Sequence, residues 1–160
     1  VQKEFNDLKL FVTGGHEINS DIVDYIQQKG MEDKIVFTGY LDDIQLRKLQ
    51  SGASLAIIYK HDNLQNKFCF PTKLIDYIAL RIPVILTDVG SIPDYFVNMY
   101  NSILIPPGDL DCLIEKIRFL LVNDKVRRQL ANNAFKLLSR EFNYIEQTGL
   151  LKNFLSEHVK

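Results

Sequence analysis

A proline-started segment in the middle of the chain has residue types that suit phosphate binding. Phe70-Pro71-Thr72-Lys73-Leu74 is predicted to open a helix, because proline lacks the N–H that finds no partner in a first turn. The free N–H groups and partial positive charge of a helix start favour an anion, and Lys73 and the Thr72 hydroxyl could add to that attraction. An ordinary helix start without a ligand is an equally good interpretation of these residues alone.

Asp76 is the next candidate. It lies three residues after Lys73, on the same face of the predicted helix. A carboxylate there could accept hydrogen bonds from a ribose diol, and the alternative is an exposed helix acid.

Glycines follow two predicted strands, Gly14-Gly15 after the first and Gly39 after the second. Glycine permits a close backbone approach or a tight turn, and without a G-x-G-x-x-G pattern the turn is the better interpretation of each glycine alone. Thr87-Asp88-Val89-Gly90 closes the fourth strand, where Asp88 is either a turn cap or a ligand contact.

The elements that must position these residues alternate along the chain. Apolar runs predict buried parallel strands at 8–13, 34–38, 54–59, 83–87 and 102–105. Amphipathic stretches predict helices from about Ile18 to Gly30, from Asp42 or Asp43, from Pro71, and at 109–122, 124–142 and 144–158. The predicted fold class is α/β: a Rossmann-like open parallel sheet flanked by helices, with a helical C-terminal tail. Residues 60–70 are predicted to form a loop at the carboxyl edge of the sheet, where ligand sites concentrate.

Composition indicates one globular domain over residues 1–160. Hydrophobic residues make up 46% and charged residues 24%, values typical of a globular protein that argue against disorder, collagen-like repeats and coiled coil. A net charge of −1 gives no reason to expect nucleic acid as a partner. Cys69 and Cys112 stand in no ligand spacing, so we expect free thiols in a reducing, cytoplasmic compartment. No apolar run approaches the ~20 residues of a transmembrane helix.

Other chemistry has little support in the sequence. The histidines are too scattered to suggest a metal site, and no G-x-S-x-G elbow indicates a hydrolase. The chain begins at Val1 without an initiator Met, in residues that look like the end of a helix, so we expect it to start within a longer protein.

Six segments in order resemble the C-terminal domain of group 1 (family 4) retaining glycosyltransferases, enzymes of the GT-B architecture. They are L-K-L-F-V-T-G-G at 8–15, K-I-V-F-T-G-Y-L at 34–41, F-P-T-K-L-I-D-Y-I-A-L at 70–80, I-P-V-I-L-T-D-V-G-S-I-P-D at 82–94, N-S-I-L-I-P-P-G-D at 101–109 and R-R-Q-L-A-N-N-A at 127–134. Each segment alone is weak evidence for the resemblance, but the six together, in this order, cover nearly the whole chain.

The resemblance implies a role for each candidate. The loop at Gly14 and Gly15 would flank the nucleotide of a sugar donor, and backbone groups of Thr38, Gly39 and Tyr40 would meet its base. The segment from Phe70 to Leu74 would bind the diphosphate. Asp76 would hold the ribose hydroxyls, in place of the second glutamate of the family's E-x7-E motif.

The sequence departs from the family pattern in three ways. Phe68 occupies the position of the motif's first glutamate, so the donor-sugar contact would be absent or would come from elsewhere, with Asp62 as a candidate. Asp76 is one methylene shorter than glutamate, and Arg81 stands where a glycine is usual. The family's domain also opens with a central strand that carries an Arg and a Lys, and this chain lacks that segment.

The implied function is the donor-binding half of an enzyme that transfers a hexose from a UDP- or GDP-sugar, with retention, to a glycan or lipid-linked acceptor in polysaccharide biosynthesis. The partner would be the N-terminal GT-B domain of the same parent chain, through which contact with the inner membrane face is possible. No residue of this chain is assigned as catalytic, no metal or cofactor is expected, and the isolated chain is predicted to be inactive. The alternatives are a non-catalytic nucleotide-binding relative and half of a sugar-nucleotide epimerase.

Overall fold

The chain forms two compact units, each with its own parallel sheet. The computed structural model describes residues 1, 4–14 and 19–159, and the units are Val1–Leu49 and Gln50–Lys160. The strands are β1 (Leu10–Thr13), β2 (Ile35–Gly39), β3 (Ala56–Ile58), β4 (Val84–Thr87) and β5 (Ile103–Ile105). The helices are α1 (Ser20–Gln28), α2 (Asp43–Ser51), α3 (Leu64–Phe68), α4 (Lys73–Ala79), α5 (Ile92–Tyr95), α6 (Leu110–Val122), α7 (Asp124–Phe135) and α8 (Tyr144–His158), with a 3-10 turn at Lys136–Ser139.

The first unit pairs β1 with β2 in parallel, with Leu10 opposite Ile35. The register shifts after Val12, and beyond the shift the Gly14 N–H donates to the Gly39 carbonyl over 3.1 Å. Among the described residues of this unit, only Ile26 of α1 is buried. The apolar side chains of β1 therefore stay largely in solvent.

Side-chain caps define the helix starts of the first unit. The Asn19 Oδ1 accepts the Asp21 N–H at the start of α1 over 2.8 Å. Before α2, the Asp42 Oδ1 accepts the Gln45 N–H over 2.8 Å, and the Gln45 Oε1 accepts the Asp42 N–H over 3.1 Å. This reciprocal pair is a capping box, and it identifies Asp42 as the N-cap among the two predicted candidates.

The second unit contains the three-stranded parallel sheet, in the order β3-β4-β5. Val84, Ile85 and Leu86 of the central strand are all 0% exposed. Val84 and Leu86 belong to one core cluster with residues of α4, whereas Ile85 belongs to another with Leu120 of α6. Alternate side chains of a strand point to opposite faces, so both faces of this sheet are covered, and the predicted α/β, Rossmann-like class with its helical tail is confirmed.

The structure corrects several predicted boundaries. The strands form two sheets, β1-β2 and β3-β4-β5, rather than one. The segment 60–70, predicted as a loop, contains α3, whose start is capped by the Asn63 Oδ1 accepting the Asn66 N–H over 2.9 Å. Helix α4 begins at Lys73, because Pro71 lies in the preceding turn and accepts the Leu74 N–H. The predicted helix 124–142 ends at Phe135 and tightens into the 3-10 turn.

Arg81 holds an uncommon backbone conformation after α4. Its φ of 55° is left-handed, and the Arg81 and Ile82 N–H groups close the helix by donating to the Ile78 and Tyr77 carbonyls. Glycine is usual at this position, and another residue costs on the order of 1 kcal/mol there. The arginine side chain is fixed by its partners: the guanidinium lies 3.7 Å from the centre of the Phe135 ring and donates to the Asn132 Oδ1 over 2.7 Å.

Candidate functional site

The turn before α4 presents free backbone donors at the carboxyl edge of the second unit's sheet. The Leu74 and Ile75 N–H groups donate to the Pro71 and Thr72 carbonyls. Within the described residues, the Thr72 and Lys73 N–H groups donate to no acceptor, and the Thr72 side chain caps nothing. Both residues are exposed. Two N–H groups and an ammonium group at one turn are suited to bind an anion.

An aromatic cluster anchors this turn. The Phe70 ring lies 5.9 Å from the Tyr95 ring and 5.5 Å from the Phe142 ring, and these two rings are 5.2 Å apart. On the other side of the turn, Leu74 is 0% exposed and belongs to the core. Phe70 and Leu74, both predicted as donor-binding residues, thus use their side chains for packing, and the Leu74 N–H is already bonded to the Pro71 carbonyl.

Asp76 lies on the exposed side of α4. Its neighbour Tyr77 is half-buried, and burial, with a smaller contribution from the Asp76 carboxylate, raises the pKa of the Tyr77 phenol above its usual 10.0. A phenol with a raised pKa stays neutral at physiological pH. The charges that α4 offers to a ligand are therefore those of Lys73 and Asp76.

Lys60 adds a second cation near the same turn. It follows β3, and its Nζ lies 3.5 Å from the carbonyl oxygen of Cys69, three residues before Thr72. Its backbone N–H donates to the Thr87 Oγ1 over 2.6 Å, and this hydroxyl donates to the Ile58 carbonyl over 3.2 Å. The Thr87 side chain, 2% exposed at the end of β4, thus fixes the point where the chain leaves β3.

Helix α3 packs tightly on the loop after β4. Gly90 has a φ of 65°, and a Cβ built on it would lie 2.7 Å from the Asn66 carbonyl oxygen and 2.8 Å from that of Lys67. Only glycine allows this approach. The contact fixes the segment after Lys60 against the end of β4.

Two residues connected with the donor-sugar contact lie on or beside α3. Phe68, at the position of the missing glutamate, is 85% exposed. Asp62, the candidate replacement, forms an ion pair with Lys67 over 3.2 Å, with both side chains about half exposed. The carboxylate of Asp62 is therefore accessible but already paired.

The remaining predicted residues lie in the first unit. Gly14 and Gly39 are joined by the hydrogen bond between the ends of β1 and β2, and Gly39 has a φ of 66°. Thr38 lies in β2, and Tyr40 just beyond it is 86% exposed. Gly15 lies outside the described residues. The structure thus brings together the two glycine ends of the first unit and, separately, the α4 residues of the second.

Sequence reasoning missed Lys60 and the role of Thr87. Both had a local signal, since each stands at the carboxyl end of a predicted strand, where ligand-binding residues collect. The hydrogen bond between them joins residues that are 27 positions apart in the chain, and nothing in the local sequence indicates this contact. No group of three or more His, Cys, Asp or Glu side chains that could hold a metal ion occurs in the described part of the chain.

The fold and this edge site define a Rossmann-like domain with a turn whose free donors are suited to an anion. The sequence matches the family "Glycosyl transferases group 1" over residues 1–137, and the chain belongs to that family. Among curated relatives, it is 29% identical over 106 residues to the capsular polysaccharide biosynthesis glycosyltransferase CapM of Staphylococcus aureus, covering 59% of this chain and 28% of CapM. The chain spans about a third of the length of the curated relatives it matches.

Solved structures share the fold. The C-terminal domain of the group 1 glycosyl transferase LpcC from Francisella tularensis has a TM-score of 0.76 and 19% identity, covering 89% of this chain and 74% of that one. Anabaena HepE in complex with UDP-glucose has a TM-score of 0.78 and 18% identity, covering 93% of this chain and 41% of HepE. The resemblance to the C-terminal domain of GT-B glycosyltransferases is thus confirmed.

Among the helices that the structure describes, none combines the length and the apolar character that spanning a bilayer requires.

Proposed function

We propose that this chain is the donor-binding part of a retaining glycosyltransferase that transfers a hexose from a UDP- or GDP-sugar. The observation that carries the proposal is the turn before α4. Its Thr72 and Lys73 amides donate to no acceptor in the part of the chain that the structure describes, and the ammonium group of Lys73 stands at the same turn. Family membership supplies the reaction class, and a diphosphate is the part of a nucleotide sugar that such a turn binds best.

The diphosphate is also the leaving group of the transfer. Donors that are already in place where its charge develops lower the barrier more than a strong base does. In the proposed reaction, the Thr72 and Lys73 N–H groups and the Lys73 ammonium bind the diphosphate, and Lys60 approaches from the end of β3. The sugar–oxygen bond breaks and the diphosphate takes the electron pair. The acceptor hydroxyl oxygen bonds to the sugar from the same face and gives its proton to an oxygen of the departing diphosphate.

The other predicted contacts complete the proposed binding site for the sugar donor. Asp76 accepts hydrogen bonds from the ribose hydroxyls with its exposed carboxylate. For the first unit, we propose that backbone groups of Thr38, Gly39 and Tyr40 contact the base, and that the loop at Gly14 and Gly15 flanks the nucleotide. The positive φ of Gly14 and Gly39 leaves their backbone open to such an approach, because no side chain covers it.

We further propose that transfer requires an N-terminal domain of the parent chain, including the strand with an Arg and a Lys. The exposed apolar side chains of β1 and of α8 support this, since a soluble protein rarely leaves so many uncovered. The similarity to CapM supports a glycan or lipid-linked acceptor in polysaccharide biosynthesis. The free thiols of Cys69 and Cys112 support a cytoplasmic location, with access to the inner membrane face through the other domain.

Calorimetric titration of the full-length protein tests the donor assignment. UDP or GDP should bind more tightly than the matching nucleoside, because only the diphosphate meets the α4 turn. Lys73→Ala should weaken diphosphate binding about tenfold, the effect of one charge-assisted hydrogen bond, while Lys125→Ala on α7 should change nothing. Equal affinity for nucleotide and nucleoside would contradict the proposal.

A second titration tests the ribose contact. Asp76→Ala should weaken the binding of UDP and of uridine by the same factor, because both carry the ribose. Asp111→Ala, an exposed first-turn acid on α6, is the matched control. If Asp76→Ala leaves both affinities unchanged, the ribose assignment is wrong.

The isolated 160 residues provide a separate test. Incubated with a radiolabelled sugar nucleotide and acceptor, they should bind the donor without transferring sugar. Turnover by this chain alone would show that the N-terminal domain is not needed.

A second candidate function is a nucleotide-binding protein without sugar chemistry. Phe68 favours it, because an exposed aromatic ring stands where the family has a glutamate on the donor sugar. The two functions differ in one measurement. A transferase donor site should bind the sugar nucleotide at least as tightly as the free diphosphate, whereas a pure nucleotide site should lose affinity when the sugar is attached.

A further inference from the structure

A basic cleft lies at the amino edge of the second unit's sheet, at the other ends of the strands from the α4 turn. It has a volume of about 180 Å³, and its lining includes Ser54 before β3, Arg81 before β4, and Asp124, Arg127 and Arg128 in the first turns of α7. Since one water needs roughly 10–15 Å³, the cleft has room for a tetrahedral oxyanion and several waters.

The charges of the cleft do not cancel. Three guanidinium groups face one carboxylate, which leaves two formal positive charges. The Arg127 Nη2 lies 3.0 Å from the Asp124 Oδ1, and Arg128 forms an ion pair with the Oδ2 of the same carboxylate. Each guanidinium has five N–H donors, and these contacts engage few of them.

Among the described residues, the third arginine has no counter-charge. The recorded partners of the Arg81 guanidinium are the Asn132 Oδ1 and the face of Phe135, and both are neutral. Both partners lie on α7, so Arg81 is fixed to the helix that carries the other two arginines. Arg81 has a left-handed backbone, which glycine adopts more easily. This residue thus combines an unfavourable backbone conformation with a guanidinium that is held in place.

The start of α7 adds to the positive potential. The helix has 12 residues, and its N-cap residue Asn123 makes no side-chain cap. Instead, the Asn123 Nδ2 donates to the Phe119 carbonyl over 2.7 Å. In the described part of the chain, Asp124 is the acid in the first turn of α7 that offsets its N-terminal partial charge.

We propose that this cleft binds a phosphate group through Arg81, Arg127 and Arg128. Planar guanidinium groups bind phosphate oxygens in pairs, which suits a cluster of arginines better than a single lysine would. Ser54 lines the same cleft, and in the proposed site its hydroxyl is a further donor. The site is separate from the proposed donor site, and its ligand is an inorganic phosphate or a phosphomonoester carried on a sugar or a lipid.

Titration with inorganic phosphate, followed by backbone amide NMR of the chain at constant ionic strength, tests the proposal. Amide signals of Ser54, Arg81 and Arg127 should shift along one saturating curve. Because phosphate could also reach the α4 turn, the titration is repeated with Lys73→Ala, which should leave that curve unchanged. This arm separates the cleft from the proposed donor site.

Arg81→Gly is the decisive variant. Glycine suits the left-handed backbone, so the change removes the guanidinium while keeping the fold, which the dispersion of the NMR spectrum verifies. Phosphate affinity should fall about tenfold or more, while Lys125→Gln, which removes one charge from the exposed side of α7, should leave it within about twofold. No saturable shift at Ser54, Arg81 and Arg127, or equal affinities of Arg81→Gly and the parent chain, would overturn the proposal.

Vesicle sedimentation identifies the source of the phosphate. If a lipid carries it, phosphatidylcholine vesicles that contain phosphatidic acid should pellet the chain, vesicles without it should not, and Arg81→Gly should abolish the difference. If the ligand is a free phosphate or sugar phosphate, neither vesicle should pellet the chain and the NMR titration alone should respond. Pelleting that Arg81→Gly does not reduce would count against the cleft as the lipid site.

Discussion

Strands β1 and β4 have equally apolar sequences but opposite environments. Among the described strands, Leu-Phe-Val-Thr of β1 hydrogen-bonds to β2 alone, and its Leu10, Phe11 and Val12 side chains are 40–51% exposed. Val-Ile-Leu-Thr of β4 lies between two strands and under helices on both faces, with exposures of 0–2%. Apolar composition thus predicts a strand correctly in both places, but burial depends on neighbours that are distant in the chain.

The difference indicates that the second unit contributes most of the stability of the chain. The second unit contains the two core clusters, whereas the first relies on strand pairing and local caps. The proposed phosphate-binding turn and the basic cleft both belong to the second unit, on elements that the core holds in place. Substitutions in matched pairs of residues test this contrast between the two units.

The largest effect is expected from truncating the same residue type in the two strands. Leu86→Ala should lower the free energy of unfolding by about 3–5 kcal/mol, because it opens a cavity in a closed core. Leu10→Ala should cost about 1 kcal/mol, since half of this side chain is already in water. Urea unfolding of both variants measures the difference. Similar costs would show that β1 is buried in solution and that the contrast does not hold.

A second pair compares two glycines with almost the same backbone. Gly90 and Gly39 have φ values of 65° and 66°, but only Gly90 would place a Cβ against backbone atoms. Gly39→Ala should cost about 1 kcal/mol for the left-handed conformation alone. Gly90→Ala should cost roughly 2 kcal/mol or more, because α3 must move away from the end of β4. Equal losses in thermal unfolding would mean that α3 does not pack on Gly90.

These pairs also show what sequence can and cannot predict here. The five strands, a helix cap at Asp42 or Asp43 and a helix start close to Pro71 are predictable because each has a local signature. Helix α3 was missed because five mostly polar residues make little more than one turn and show no period. Its Asn63 cap was the only available signal.

The sites themselves depend on pairings across long stretches of chain. Thr87 reaches Lys60 from a position 27 residues away, and Arg81 meets Asn132 across 51 residues. These contacts depend on which strands are adjacent in the sheet, and that adjacency is a property of the whole fold. The division of the strands into two sheets was likewise invisible in their sequences, since all of them have the apolar pattern of buried parallel strands.

A smaller effect is expected from the cap of the first unit. Asp42→Ala removes one acceptor of the capping box and should lower stability by about 1 kcal/mol. Asp42→Asn, which keeps an oxygen that can accept the Gln45 N–H, is the control and should recover most of the loss. Backbone amide exchange of α2 is the sensitive measurement. Unchanged exchange in Asp42→Ala would show that the cap contributes little to the first unit.

The smallest effect on stability should come from Asp62, and it separates two roles of this residue. The ion pair with Lys67 joins two half-exposed side chains, so Asp62→Asn should change the free energy of unfolding by less than about 1 kcal/mol, and less still at high salt.

If Asp62 replaces the missing glutamate, the same change should weaken binding of the sugar nucleotide but leave binding of the free diphosphate unchanged. Lys67→Gln breaks the same ion pair but keeps the carboxylate, so it should match Asp62→Asn in stability and differ in sugar-nucleotide affinity. Identical affinities of the two variants would leave Asp62 with a structural role alone, and would favour a nucleotide site with Phe68 at its sugar end.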